Sequence, residues 1–126
     1  MVDETCRQAG PQQIRSAGQS NPIRCRNYID GDGNPSSGYV HGVGMTIVFQ
    51  DGPRGSTIGG ELNPPNGAFV QDALLAAYQR LEFFQASRYA CQANADAMLH
   101  IERAIEALHE RAIERRSRGV LGINAR

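Results

Sequence analysis

Apolar and polar positions change period along the chain, and each change marks an element. Residues 23–29, IRCRNYI, alternate apolar and polar, the period-two signature of a short strand, with Arg24 and Arg26 on one face where solvent is expected. The polar stretch DGDGNPSSG that follows reads as a hairpin loop. GYVHGVGMTIVFQ is then rich in β-branched and aromatic residues and stops at Asp51, Gly52 and Pro53, which predicts a strand with a bulge or twist near His41. A third strand is expected near residues 57–62, and Pro64, Pro65, Asn66 and Gly67 close the region. Thereafter the period is helical. Val70, Leu74, Ala77, Tyr78, Leu81 and Phe84 recur at three and four residues, the signature of a helix with one buried face. Ser87 to Tyr89 interrupt the pattern, and Ala97, Ile101, Ala104, Ile105, Leu108, Ala112 and Ile113 form the stripe of a second helix expected over residues 90–118.

These elements predict an α+β fold, a small antiparallel β-sheet followed by a C-terminal antiparallel two-helix hairpin. Residues 23–126 are expected to form a single domain, with 23–66 as its β-region and 67–122 as the helical hairpin. Residues 1–22 carry no period, being interrupted by Gln, Ser, Gly and Pro, and suggest a flexible arm.

The second helix is about twice as long as the first, yet its far half keeps Leu108, Ala112 and Ile113 apolar. That surplus stripe calls for a second subunit or for the sheet. A twofold, isologous pairing of the helix would satisfy it. The pairing also resolves a problem of distance, because Asn94 and Arg111 on one straight helix lie about 25 Å apart. In an antiparallel pair, the arginine end of one copy would lie beside the Phe84 and Asn94 end of the other. An aromatic plane, an amide and a guanidinium pair are the parts needed to stack a base, read its edge and grip phosphate. Singly, each has a plainer reading: Phe84 as core, Asn94 as a helix-start residue, and the arginines as i,i+4 partners of Glu102, Glu106, Glu110 and Glu114 or as compensation for the helix dipole.

Composition narrows the chemistry. Thirteen basic residues balance thirteen acidic ones, so bulk charge does not hold this chain to duplex DNA or to a membrane, and any anion site must be local. Every basic residue is arginine, which suits phosphate recognition but equally reflects a GC-rich genome. Cys6, Cys25 and Cys91 have no CxxC spacing and read as ordinary thiols, with no metal or cofactor implied. Asp30, Asp32 and Asn34 resemble the start of a calcium loop, but Pro35 and His41 stand where it needs glycine and a bidentate glutamate. No apolar run approaches a membrane span and no signal peptide opens the chain, so a cytoplasmic protein is expected. A catalytic set is not apparent: His41, His100 and His109 lack ligand spacing, Ser87 and Ser117 lack an adjacent base, and Asp96 and Glu102 read as helix surface.

Across residues 38–122 the chain resembles the first family of phage Thoeris anti-defence sponges, whose helical hairpin is shared with phage anti-CBASS sponges. The matching residues are FQDGP from Phe49 to Pro53, Asn66 and Gly67, Phe84, Gln85 and Ala86, Ala90 and Cys91, Asn94, and the series Arg111, Arg115, Arg118 and Gly119. The resemblance implies dimers, or hexamers built from dimers, that sequester cyclic ADP-ribose isomers in the cytoplasm of an infected bacterium without cleaving them. It implies Phe84, Asn94, Arg111 and Arg115 as the ligand residues. Some members also hold cyclic oligonucleotides at a separate site, for which Arg118, Gly119 and Val120 are the candidates. The chain departs from the family at Ala112 and in RGVLGI from Arg118 to Ile123, which bears mainly on that second site. Two other readings compete: a hydrolase of the same nucleotides, and an arginine-rich dimer that binds nucleic acid.

Overall fold

A computed structural model describes residues 2–5, 23–55 and 60–119. Four strands, β1 (Val2–Thr5), β2 (Arg24–Ile29), β3 (Pro35–Gly42) and β4 (Met45–Phe49), form one antiparallel sheet in chain order, and two helices follow, α1 (Val70–Gln85) and α2 (Gln92–Ser117). This is the expected α+β architecture. The chain divides into two compact units, Met1–Ala68 and Phe69–Arg126, so the β-region and the hairpin are each compact in their own right.

In the first unit, β2 pairs with β3 through a loop organised by Asp30. Its Oδ1 accepts the backbone N–H groups of Asp32 at 2.9 Å and Asn34 at 3.0 Å, so the carboxylate that suggested a calcium loop instead closes an Asx-type turn. Asn27 lies opposite Gly38 and Ile29 opposite Pro35, so over this stretch β3 carries one residue more than β2, a β-bulge in β3. The run expected as one strand is two. Gly42 pairs with Met45 across the two-residue loop Val43 and Gly44, with Gly44 at φ 75°. The glycines expected to mark a bulge or twist near His41 instead make this turn, which needs only one residue free to enter the left-handed region. Val2–Thr5, within the stretch read as an arm, pair antiparallel with β2 from Val2 opposite Ile29 to Thr5 opposite Arg26. Of the strand expected near residues 57–62, residues 57–59 lie outside the described residues, and 60–62 belong to none of the four strands. Arg24 is exposed and Arg26 half-buried. The cysteine reading needs correction, since Cys25 is disulfide-bonded while Cys91 is a free, exposed thiol.

Past β4 the chain is held by a clasp. Ala68 donates to the Val48 carbonyl at 2.8 Å and accepts from Gln50 N–H at 2.9 Å, a parallel bridge beside Phe49. Asn66 locks the other side: its Oδ1 accepts Asp51 N–H at 2.8 Å, and its own N–H donates to Gln50 Oε1 at 2.9 Å. Arg54 and Asn63 close the intervening loop reciprocally, Arg54 Nε donating to the Asn63 carbonyl at 2.6 Å and Asn63 Nδ2 to the Arg54 carbonyl at 3.0 Å.

The second unit is a helical hairpin. Asp72 accepts the Phe69 N–H at 2.8 Å, satisfying a donor left open at the start of α1. Half-buried Leu74, Tyr78 and Leu81 on α1 and Ile101, Ala104, Ile105 and Leu108 on α2 carry the apolar stripes. Among the described residues no apolar side chain is fully buried.

Candidate functional site

Phe84 and Asn94 both stand at the turn end of the hairpin, where polar groups stop one helix and start the next. The Phe84 carbonyl accepts both the N–H of Ser87 at 3.0 Å and its hydroxyl at 2.6 Å, and Ser87 Oγ in turn accepts the Tyr89 N–H at 3.1 Å. A serine that offers the backbone such an alternative ends a helix, the physical basis of the break expected there. Gln85 then spans the turn, its Oε1 accepting Cys91 N–H at 2.9 Å and its Nε2 donating to the Cys91 carbonyl at 3.1 Å. Asn94, in the first turn of α2, directs Nδ2 to the Tyr89 carbonyl at 3.4 Å. Phe84 and Asn94 are both half-buried.

Arg111 and Arg115 stand on the last turns of the same 26-residue helix, Arg111 exposed and Arg115 half-buried. At 1.5 Å per residue they lie about 25 Å and about 30 Å from Asn94. One chain therefore does not bring the four residues together. Arg118 follows the helix and forms an ion pair with Glu114 one turn earlier, with both side chains about half exposed (45% and 53%), so solvent screens much of the attraction. Gly119 leaves the helix at φ 72°, the left-handed conformation common just past a helix end, and Val120 lies outside the described residues.

The hairpin's register shows how much of α2 is left over. Tyr78 donates its hydroxyl to Glu102 Oε1 at 2.6 Å, joining the two helices. Val70 begins α1 eight residues before Tyr78, and eight residues beyond Glu102 is Glu110. Residues 111–117 thus run past the start of α1 by about 10 Å. Ile113 on this overhang is 55% exposed, and Leu99 and Phe83 elsewhere on the hairpin are 42% and 64% exposed. The Tyr78 hydroxyl is held above its ordinary pKa, chiefly by its bond to the Glu102 carboxylate and further by the nearby charges of Glu102 and Glu82.

One group escapes a reading by hydrophobic period. Arg80 places its guanidinium carbon 4.9 Å from the Phe84 ring centroid and 5.3 Å from that of Phe83, while the two rings meet edge to face at 6.1 Å. The i,i+3 and i,i+4 spacing of Arg80 to Phe83 and Phe84 was the available signal. His41 lies across β3 and β4 from Thr46, its Nδ1 3.1 Å from the hydroxyl, and Asp96 accepts from Gln92 Nε2 at 2.8 Å. Among the described residues no three His, Cys, Asp or Glu side chains are grouped so as to hold a metal, and no helix is long and apolar enough to cross a membrane.

No family model matches the chain. Over 77 residues it is 35% identical to a protein named Thoeris anti-defense 1 from Bacillus phage SBSphiJ7, a match covering 61% of this chain and 50% of that relative. The chain thus spans half the length of the relative it matches.

Proposed function

We propose that this protein belongs with the Thoeris anti-defence protein to which it is 35% identical over 77 residues, and that it is a phage anti-defence protein that binds and sequesters a cyclic ADP-ribose isomer without cleaving it. The observation that carries this reading is the separation along α2. The aromatic and amide sit at the hairpin's turn, the arginines sit on an overhang that α1 does not cover, and a continuous helix keeps them about 25 Å apart. A second copy running antiparallel would cover the overhang and its exposed Ile113, and would set Arg111 and Arg115 of one chain beside Phe84 and Asn94 of the other. Two equivalent pockets follow from the twofold axis. In each, Phe84 stacks a base, Asn94 reads an edge, and the guanidinium pair forks onto the phosphates. The dimer is the smallest assembly that completes a pocket, and a hexamer of such dimers would keep it. Arg118, Gly119 and Val120 would serve a separate site for cyclic oligonucleotides.

Sequestration without chemistry gives a direct assay. The purified protein is mixed with a cyclic ADP-ribose isomer, freed of unbound ligand, and heated to release what it holds. The expected product is the intact cyclic nucleotide. Recovery of ADP-ribose alone would replace this reading with that of a hydrolase. A thermal-shift panel of cyclic ADP-ribose isomers and cyclic di- and trinucleotides identifies the ligand, because only ligands that bind the native state raise the melting temperature. Tight DNA binding at physiological salt, with no nucleotide stabilising the fold, would instead favour a nucleic-acid-binding dimer.

A further inference from the structure

Phe84 does not present a bare ring. Arg80, one turn earlier on α1, holds its guanidinium carbon 4.9 Å from the Phe84 centroid and 5.3 Å from the Phe83 centroid. Its state differs from that of neighbouring arginines. Arg88 also lies over a ring, that of Tyr89 at 4.9 Å, but donates to the Tyr89 hydroxyl at 2.7 Å, and Arg118 is paired with Glu114. Among the described residues no hydrogen bond or ion pair engages the Arg80 guanidinium, so its N–H donors are unspent while its central carbon lies over two rings. Arg80 is exposed, and Phe83 is 64% exposed beside it.

We infer that Arg80 is a further ligand-contacting residue of the pocket, a guanidinium plane resting on Phe84 against which the purine base of the bound nucleotide stacks. The inference rests on the proposed nucleotide-binding reading and deepens it. A guanidinium is flat and weakly hydrated, so it stacks on an aromatic face while its in-plane donors stay free. Sandwiched between Phe84 and a base, it meets a π-face on each side, and its edge donors reach the acceptors of the base or the adjoining ribose.

Arg80→Ala and Arg80→Lys separate plane from charge, because lysine keeps the cation and loses the flat donor array. Affinity for a cyclic ADP-ribose isomer is measured by calorimetry for the unaltered protein, both variants and Phe84→Ala, with the melting temperature of each unliganded protein as the folding control. Loss of one stacking layer predicts roughly tenfold weaker binding for Arg80→Ala and for Arg80→Lys, with unliganded melting temperatures unchanged. Arg80→Ala binding within about twofold of the unaltered protein, while Phe84→Ala fails, would overturn the assignment and leave the pocket standing. Full affinity in Arg80→Lys with loss in Arg80→Ala would also overturn it, since charge alone would then be at work. No binding by the unaltered protein would overturn the nucleotide reading and this inference with it.

Discussion

Gly67 is where the β-unit is most exposed to a single added methyl. A Cβ there would lie 2.6 Å from both the carbonyl carbon and oxygen of Phe49 and 2.7 Å from Gln50 N. That is roughly 1 Å inside ordinary contact, and the neighbours are backbone atoms that cannot rotate aside. Gly67→Ala must therefore push the strand end and the clasp apart. Overpacking of this kind costs about 1–3 kcal/mol. The two bonds most directly strained, Ala68 N–H to Val48 O at 2.8 Å and Gln50 N–H to Ala68 O at 2.9 Å, are worth about 1 kcal/mol each. The expected loss is about 3–5 kcal/mol, or a fall in melting temperature on the order of 15–35 °C for a unit of this size. Urea unfolding followed by circular dichroism measures the loss, and hydrogen exchange at Gln50 and Ala68 shows whether it comes from the clasp. Gly31→Ala is the matched control, because a Cβ there meets nothing within 4 Å. The reasoning is refuted if Gly67→Ala unfolds with Gly31→Ala and the Ala68 amide keeps its protection.

Arg111→Ala should abolish nucleotide binding while leaving the oligomer intact, since removing one partner of a buried charge pair costs about 2–5 kcal/mol; unchanged affinity by calorimetry would remove Arg111 from the site. Gln85→Ala deletes both amide bonds across the hairpin turn and should cost about 1–2 kcal/mol, read as a lower urea midpoint; a midpoint equal to that of the unaltered protein would show that the turn does not depend on them. The Tyr78 pKa is raised in the folded state, so its contribution to stability is fully present below the ordinary tyrosine pKa of about 10 and is lost as pH rises through the folded value. Absorbance titration should accordingly show one late-ionising phenol that is missing from Tyr78→Phe, and loss in Tyr78→Phe of a phenol that ionises in the ordinary tyrosine range would refute the Glu102 contact.

The motifs that mark the family resemblance prove to be each other's partners. Gln50 and Asp51 of FQDGP bond Asn66, the glycine after it packs on Phe49, and Gln85 bonds the backbone of Cys91. Their order along the chain was legible, but the reason for it was not, because the atoms that need one another are 15 or more residues apart in the clasp. The same limit explains the split strand. Gly42 and Met45 bracket a two-residue turn that the β-rich composition on either side concealed.

Helical periodicity is a local property, repeated every turn, so the sequence by itself determined two helices, their unequal lengths and the break at Ser87. It also determined that Asn94 and Arg111 stand too far apart to meet within one chain, because the rise of a helix is fixed by its backbone. Contacts between separated segments depend on packing that no local pattern encodes. The tertiary structure alone therefore decided the clasp between Gln50 and Asn66 and the Tyr78 to Glu102 register that leaves residues 111–117 beyond the start of α1.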